Sequence, residues 1–398
     1  MKKVAIISRA SFLPVPAVLG GACEALMEIL INKNEEFKEL DLTYIQPMFS
    51  KEVRKNMKRE KFKSVKFVDC KKNHVFEFCV KAINRILRIL GIKKRLTKSY
   101  ESKALKYCKA NKFDKIVFEG GEPNNIDSYL KYYKREQLYL HFHCQVEEKQ
   151  DVTKSIGNFI SVSEFISNDW RDWHKENGID NINKIVLKNV VNEDRFNKEI
   201  SAKEREEIRK SLGFKKDDFL VVFNGRLIEV KGIKELIQAV IKLPENVKLM
   251  IIGSPNFKDQ TDSPFLTEIK TLAEEYKQKI VFTGFIDNRE VYKYYRAADM
   301  QAIPSVWNDA APLVVFEGLL CGLPQLVTRS GGIPEYVCKE GSIIIPRDHD
   351  LVENLTANID KLSKDKKLLK TMSEKNLEYS KRYCKTNYYK DFVAIMEK

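Results

Sequence analysis

Residues 300–330 read MQAIPSVWNDAAPLVVFEGLLCGLPQLVTRS. MQAIPS reads as one short strand, and PQLVTRS as a second. Between them LVVFEGLL is apolar enough to be a buried helix, with Pro312 fitting its first turn. Strand, helix and strand in that order, both strands apolar almost throughout, make the crossover unit of a parallel sheet covered on both faces. The stretch is also nearly cleared of charge, in a chain whose residues are 32% charged. Before Arg329 only Asp309 and Glu317 break it, and small or apolar residues fill the gap between them.

The same alternation extends in both directions. FLVVFNGR, KLMIIGS, KIVFTGF and SIIIPR read as further strands of this half, with helical patterns in IKELIQAVIKL, 265–278 and VYKYYRAA. In the first half KKVAIIS, KIVFEGG (115–121), QLYLHFH (137–143), FISVSEFI (159–166) and KIVLKNVV (184–191) read as strands, and EALMEILI as a helix. Residues 196–218 are mainly charged and read as the passage between two series. The expected fold is α/β, two doubly wound Rossmann-like domains. Their expected extents are 1–195 and 196–375, with a C-terminal helix at 376–398 packing back on the first. A chain of 398 residues is too long for one ordinary core, which agrees.

Composition excludes several classes. Apolar residues make up 43%, and no run approaches the length of a membrane-spanning helix. MKKVAIISRASF reads as a first strand, because Ser8 and Arg9 cut its apolar run short. The expected location is therefore the cytoplasm. Eight cysteines are scattered without a CxxC pair, so free and mostly buried thiols are expected.

The net charge is +14. Residues 51–110 hold 20 Lys and Arg against 5 Asp and Glu, a net of +15, so the rest of the chain sums to −1. Within that segment VFEFCVKAINRILRILGIKKRL (75–96) is amphipathic at helical period. Phe76, Cys79, Val80, Ile83, Ile86, Leu87 and Leu90 share one face, while Lys81, Arg85 and Arg88 lie on another. Such a helix suits an anionic membrane surface, which makes peripheral attachment at the inner face of the membrane the expectation. The alternative is an ordinary helix with its stripe in the core and a solvated basic face. No nucleic-acid motif accompanies the charge, so no nucleic-acid partner is expected.

Loops after the strands are where ligands bind in such sheets. Gly20 and Gly21 follow the first strand and open a helix, where backbone amides can approach an anion; a tight turn is the other reading. In VVFNGRLIEVKG (221–232), Arg226 and Lys231 stand five apart in a loop, and both suit a diphosphate. The alternative is two solvated cations. The amides around Pro312, Leu313 and Val314 would face such a diphosphate, which explains the uncharged Ala310 and Ala311. Glu317 could then accept from a ribose diol, and Asp309 from sugar hydroxyls beyond the phosphates. SGGIPEYV (330–337) is a further glycine-rich strand-to-helix turn.

GRLIEVKG, VFTGFIDNREVYKYYRAADMQAIPS, the Asp309–Glu317 pair and CGLPQLVTRSGGIPEYV together resemble the C-terminal domain of GT-B glycosyltransferases of family 4. Gly20-Gly21, the strand-end histidines and SVSEFI extend the likeness, more loosely, into the first half. The resemblance implies two domains facing a central cleft and a retaining hexosyl transfer from a nucleotide sugar, most often a UDP-sugar. It implies that Arg226 and Lys231 hold the diphosphate, that Glu317 holds the ribose, and that Asp309 orients the transferred sugar. Asp309 stands where that family usually has Glu, one methylene longer. Phe285 and Ile286 lie in the loop that usually frames the base. Of the strand-end pair, His143 is preferred near the reacting centre; His141 and Glu122 are candidates on the acceptor side. A structural histidine is the other reading for both rings, and a turn with solvated acids for Glu119 to Glu122. His74, His174 and His349 are expected at the surface.

With the basic helix, this points to a glycan or lipid-linked acceptor in surface polysaccharide or lipid-glycan synthesis. The transfer implied is a front-face displacement in which the departing phosphate oxygen takes the acceptor proton. No metal and no cofactor are expected: Asp348-His349-Asp350 spells a DxD but lacks the setting of a metal site. Two rival readings are a GT-B phosphorylase on soluble sugars and a non-catalytic binding protein of the same fold.

Overall fold

A computed structural model describes residues 1–18, 21–92, 96–97, 99–121, 123, 125–146, 149, 154–255 and 263–398. The chain forms two compact units, Met1–Asn189 with Lys385–Lys398, and Val190–Cys384. Each unit is built on an all-parallel sheet.

In unit 1 the strands are β1 (Lys2–Ser8), β2 (Leu40–Pro47), β3 (Val65–Cys70), β4 (Lys115–Glu119), β5 (Leu138–Phe142), β6 (Asn158–Ser161) and β7 (Asn183–Val186). Their order is β3-β2-β1-β4-β5-β6-β7. Unit 2 holds β8 (Phe219–Asn224), β9 (Val247–Ile252), β10 (Ile280–Gly284), β11 (Met300–Ile303), β12 (Gln325–Thr328) and β13 (Ser342–Ile345), in the order β10-β9-β8-β11-β12-β13. Chain order reverses between β1 and β4, and again between β8 and β11. The carboxyl ends of those strands are where a doubly wound sheet leaves room for a ligand.

The strands of unit 2 are mostly apolar because both faces of their sheet are covered. Along β8, Phe219, Val221 and Phe223 enter one apolar cluster with Leu249 and Ile251. Leu220 and Val222 enter the other with Met250 and Ile252. The two-residue period sends alternate side chains to opposite layers, so a run of apolar residues serves both.

All six strands expected in the second half are present. In the first half β2 and β3 were not legible, because Lys66 and Asp69 break one run and Asp41, Thr43 and Gln46 break the other. FISVSEFI is not one strand: β6 stops at Ser161, and the Ser163 hydroxyl caps the helix Glu164–Glu176 by accepting from Ile166 N. KIVLKNVV is strand only as far as Val186. SGGIPEYV forms a single 3₁₀ turn, Ile333–Glu335. Pro312 is the N-cap residue, and the helix itself is Leu313–Leu320.

The helix His74–Ile89 does not put its stripe into a core. Val80 is buried, but Phe76, Cys79, Ile83, Ile86 and Leu90 are exposed, with Val75, Phe78 and Ile89 beside them. His174, expected at the surface, is buried against Phe159, Trp170 and Trp173, and burial pushes its imidazole down to about 4. The eight cysteines are all unpaired; Cys79 and Cys144 are exposed. No helix among the described residues is long and apolar enough to cross a membrane.

Candidate functional site

In unit 2 the carboxyl edge of the sheet gathers most of the residues singled out in the sequence. β8 ends at Asn224, and its loop carries the exposed Arg226 and, in the 3₁₀ turn Glu229–Lys231, the half-buried Lys231. Arg226 makes no ion pair among the described residues. Gly232 closes this loop at φ 69°, and a Cβ there would lie 1.9 Å from the Pro304 carbonyl oxygen. That close approach brings the Lys231 loop onto the segment leaving β11.

β11 leads through Pro304 and Ser305 to Asp309 and the helix Leu313–Leu320. No side chain caps this helix, and its first turn carries no acid. Its amino end therefore keeps the partial positive charge that attracts an anion. Two fully buried glutamines set its place. Gln301 Nε2 donates to the Val314 carbonyl at 2.9 Å, and Gln325 Nε2 to that of Val315 at 2.8 Å.

Glu317 lies one turn inward. Its Oε2 accepts from Tyr295 Oη at 2.8 Å and Asn224 Nδ2 at 3.1 Å. Burial raises its carboxyl above the ordinary value, against those two bonds. The other oxygen makes no hydrogen bond among the described residues. Asp309 is held differently: Lys231 Nζ is 2.5 Å from Oδ1, and Ser305 Oγ donates to Oδ2 at 2.5 Å. Phe285 and Ile286 follow Gly284 at the end of β10, Phe285 exposed and Ile286 half-buried. The structure thus places Arg226, Lys231, Asp309, Pro312, Leu313, Val314, Glu317, Phe285 and Ile286 on one edge of one sheet.

Unit 1 has its own polar centre. Glu119 ends β4, His141 is its register partner in β5, and His143 follows that strand. His141 Nδ1 donates to Glu119 Oε2 at 2.9 Å, and His143 Nε2 is in close contact with Oε1. All three side chains are buried. Burial alone would raise the Glu119 carboxyl, but the two imidazoles outweigh it and hold it at about 2. For His143, burial pulls the ring down, and the Glu119 carboxylate lifts it, for a net rise well above its ordinary value. Burial lowers His141, against the pull of the Glu119 carboxylate. Glu119 is therefore not the solvated turn acid expected from sequence. Its signal was an acid ending an apolar strand, the position Asn224 occupies in unit 2.

Gly21 stands at φ 99°, and a Cβ there would be 2.0 Å from Glu24 Oε2. Glu24 Oε1 accepts from Leu13 N at 2.8 Å, which pins the loop after β1. Gly20 and Glu122 lie outside the described residues.

Glu119, His141 and His143 offer three ligand atoms within 4.8 Å of one another, as do the exposed Asp348, His349 and Asp350. In the first group both carboxylate oxygens are already engaged by the rings. A cavity of about 380 Å³ in unit 2, lined by Arg205, Arg296 and Lys370 among others, is separate from the Glu317 edge. Its two arginines are paired with Asp299 and Glu199.

Residues 204–379 match the family model described as glycosyl transferases group 1. The uncharacterized glycosyltransferase MJ1607 of Methanocaldococcus jannaschii is 32% identical over 171 residues, 42% of this chain and 42% of that protein. YtcC of Bacillus subtilis is 26% identical over 377 residues, 91% of this chain and 84% of that protein. The chain thus spans under half the length of the first and most of the second. Among solved structures, Anabaena HepE in complex with UDP superposes over 100% of both chains with a TM-score of 0.74 at 15% identity. Its complex with UDP-glucose gives 0.72 over 99% of this chain and 98% of that one, at 16% identity. Residues 204–379 are accordingly a domain of the glycosyl transferases group 1 family, and the chain that carries them has the GT-B fold.

Proposed function

We propose that this protein is a retaining glycosyltransferase that moves a sugar from a UDP-sugar to a glycan or lipid-linked acceptor, in surface polysaccharide or lipid-glycan synthesis, without a metal or other cofactor. One observation carries the reading. An uncapped helix start, the cations Arg226 and Lys231, and a carboxylate with a free oxygen at Glu317 converge on one sheet edge. The helix amides and the two cations suit a diphosphate, and the free Glu317 oxygen suits a ribose diol. The UDP and UDP-glucose complexes of HepE support the choice of nucleotide. Arg226 and Lys231 would stabilise the leaving phosphate, whose oxygen takes the acceptor proton in a front-face displacement. In unit 1, His143, held against Glu119, is the group proposed to bear on the reaction.

A thermal-shift comparison of UDP-, GDP- and ADP-glucose tests the donor, since a ligand of the folded form raises the unfolding temperature. UDP-glucose or UDP should give the largest rise, and Arg226→Ala should abolish it. No shift with any nucleotide sugar would sink the proposal.

The helix His74–Ile89 favours a lipid-linked acceptor at the cytoplasmic face of the membrane. Val75, Phe78, Ile86 and Ile89 are more than half exposed on it, in a segment of net charge +15. An apolar face flanked by Lys81, Arg85 and Arg88 fits an anionic bilayer. Vesicles containing phosphatidylglycerol should sediment the protein, and Phe78→Asp with Ile89→Asp should release it. Equal sedimentation of both forms, or none of the wild type, would remove the membrane from the reading.

A further inference from the structure

Two charged side chains assigned to neighbouring parts of a donor, Lys231 to its diphosphate and Asp309 to its sugar, are joined to each other. Lys231 Nζ lies 2.5 Å from Asp309 Oδ1, and the side chains are only 20% and 17% exposed. The pairing is built into the backbone. Val306 N donates to the Val230 carbonyl at 3.0 Å, and Gly332 N to that of Asp309 at 2.7 Å. Gly331 sits at φ 53°, where a Cβ would lie 2.3 Å from the Asp309 carbonyl oxygen. Thr328 Oγ1 donates to the Ser305 carbonyl at 2.7 Å. The loops after β8, β11 and β12 therefore hold Lys231, Ser305 and Asp309 in one register, unlike two long side chains meeting by chance at a surface.

A diphosphate that recruits Lys231 must take it from Asp309. The acid is then left largely buried, beside a second anion, with Ser305 Oγ as its remaining donor. A nucleoside diphosphate has nothing to offer it, because a phosphate there presents acceptors only. A nucleoside diphosphate sugar presents hydroxyls, which donate. Leaving a buried acid unpaired is costly, and supplying a donor removes that cost.

Resting on the reading of the site given above, we propose that Asp309 is a specificity-determining residue: it occupies Lys231 in the free protein, so that the site holds an intact nucleotide sugar in preference to the bare nucleoside diphosphate. Ser305 is a positioning residue that keeps one Asp309 oxygen satisfied during the exchange. The same arithmetic favours release of the nucleoside diphosphate once its sugar has gone.

Calorimetric titration of the full chain with UDP and with UDP-glucose tests this. Wild type should prefer UDP-glucose. Asp309→Asn keeps the shape, frees Lys231 and removes a like charge, so UDP should bind about tenfold tighter or more, the scale of one charged hydrogen bond. The preference for UDP-glucose should shrink towards parity. Asp309→Glu retains the charge and should leave UDP affinity within about threefold of wild type, on the same scale. Asp309→Asn binding UDP no more tightly than wild type overturns the inference alone, provided UDP binds and Arg226→Ala weakens it. If neither ligand binds wild type, the proposed function fails and takes the inference with it.

Discussion

At Glu317, stability and binding pull in opposite directions. Burial raises its carboxyl, so the folded chain holds that proton more tightly than the unfolded chain does. The linkage sign follows: its contribution to stability is fully present below the unfolded value near 4.5 and is lost as pH rises through the higher folded value. Ionising Glu317 is thus a burden on the fold, carried so that the carboxylate can accept from a ligand. Glu317→Gln should leave the ligand-free unfolding temperature at pH 7 unchanged or higher, yet weaken UDP binding about tenfold, the scale of a charged hydrogen bond. Differential scanning calorimetry with and without UDP measures both; a variant that loses stability and keeps affinity refutes the assignment. Glu317 and Asp309 were legible in the sequence because they are charges left in an apolar stretch. Asn224, Tyr295, Ser305 and Glu119 were not, because their roles come from partners 71, 22, 4 and 22 positions away that only the folded sheet brings together.

The helix Leu313–Leu320 is short and almost wholly apolar, so its own propensity does little to place it. Its seat is made by Gln301 and Gln325, which bond to each other at 2.8 Å and to the carbonyls of Val314 and Val315. Gly318 is what lets them approach: a Cβ there would fall 1.9 Å from Gln301 Oε1 and 2.8 Å from Gln325 Nε2. Gly318→Ala gains helix propensity and still should destabilise unit 2 by about 1–3 kcal/mol, because overpacking against a satisfied buried network outweighs it. Urea unfolding followed by tryptophan-independent far-UV circular dichroism reads this, and a stabilised variant would contradict the packing argument. The glycine was visible in LVVFEGLL, but its reason was not. A two-residue or 3.6-residue period identifies elements and faces, which is why all six strands of unit 2 were found. It does not say which side chain crosses from a neighbouring strand, nor that FISVSEFI changes from strand to helix at Ser163.

On the scale of the whole molecule, the chain does not end in the unit that precedes its end. The expected passages at 195 and 375 fall instead at Asn189 and Cys384. The helix expected at 376–398 is two: Lys366–Ser380 lies in unit 2, and Lys385–Glu397 lies in unit 1. The last helix buries Tyr388, Tyr389, Phe392 and Met396. Tyr389 Oη donates to Asn34 Oδ1 at 2.9 Å and accepts from Glu39 N at 3.3 Å, and its ring stacks on Phe37 at 5.6 Å. Asn34 in turn bridges to both backbone groups of Leu40, the first residue of β2. The terminus therefore closes the core of unit 1 over the end of the helix Ala22–Phe37, at a sequence separation of 355 residues. Removing residues 385–398 should uncover that core and open unit 1 locally, while leaving the sheet of unit 2 intact. Hydrogen exchange should then accelerate by about tenfold or more across 22–45, a loss of roughly 1.4 kcal/mol of local stability or more, with 219–252 unchanged. The UDP affinity of the truncated chain gives the second arm, because Arg226, Lys231, Glu317 and the helix start that carry the nucleotide reading all lie in unit 2. Loss of protection across 219–252, or of UDP binding at a temperature where 219–252 stays protected, would show that the terminal helix serves the second unit rather than the first.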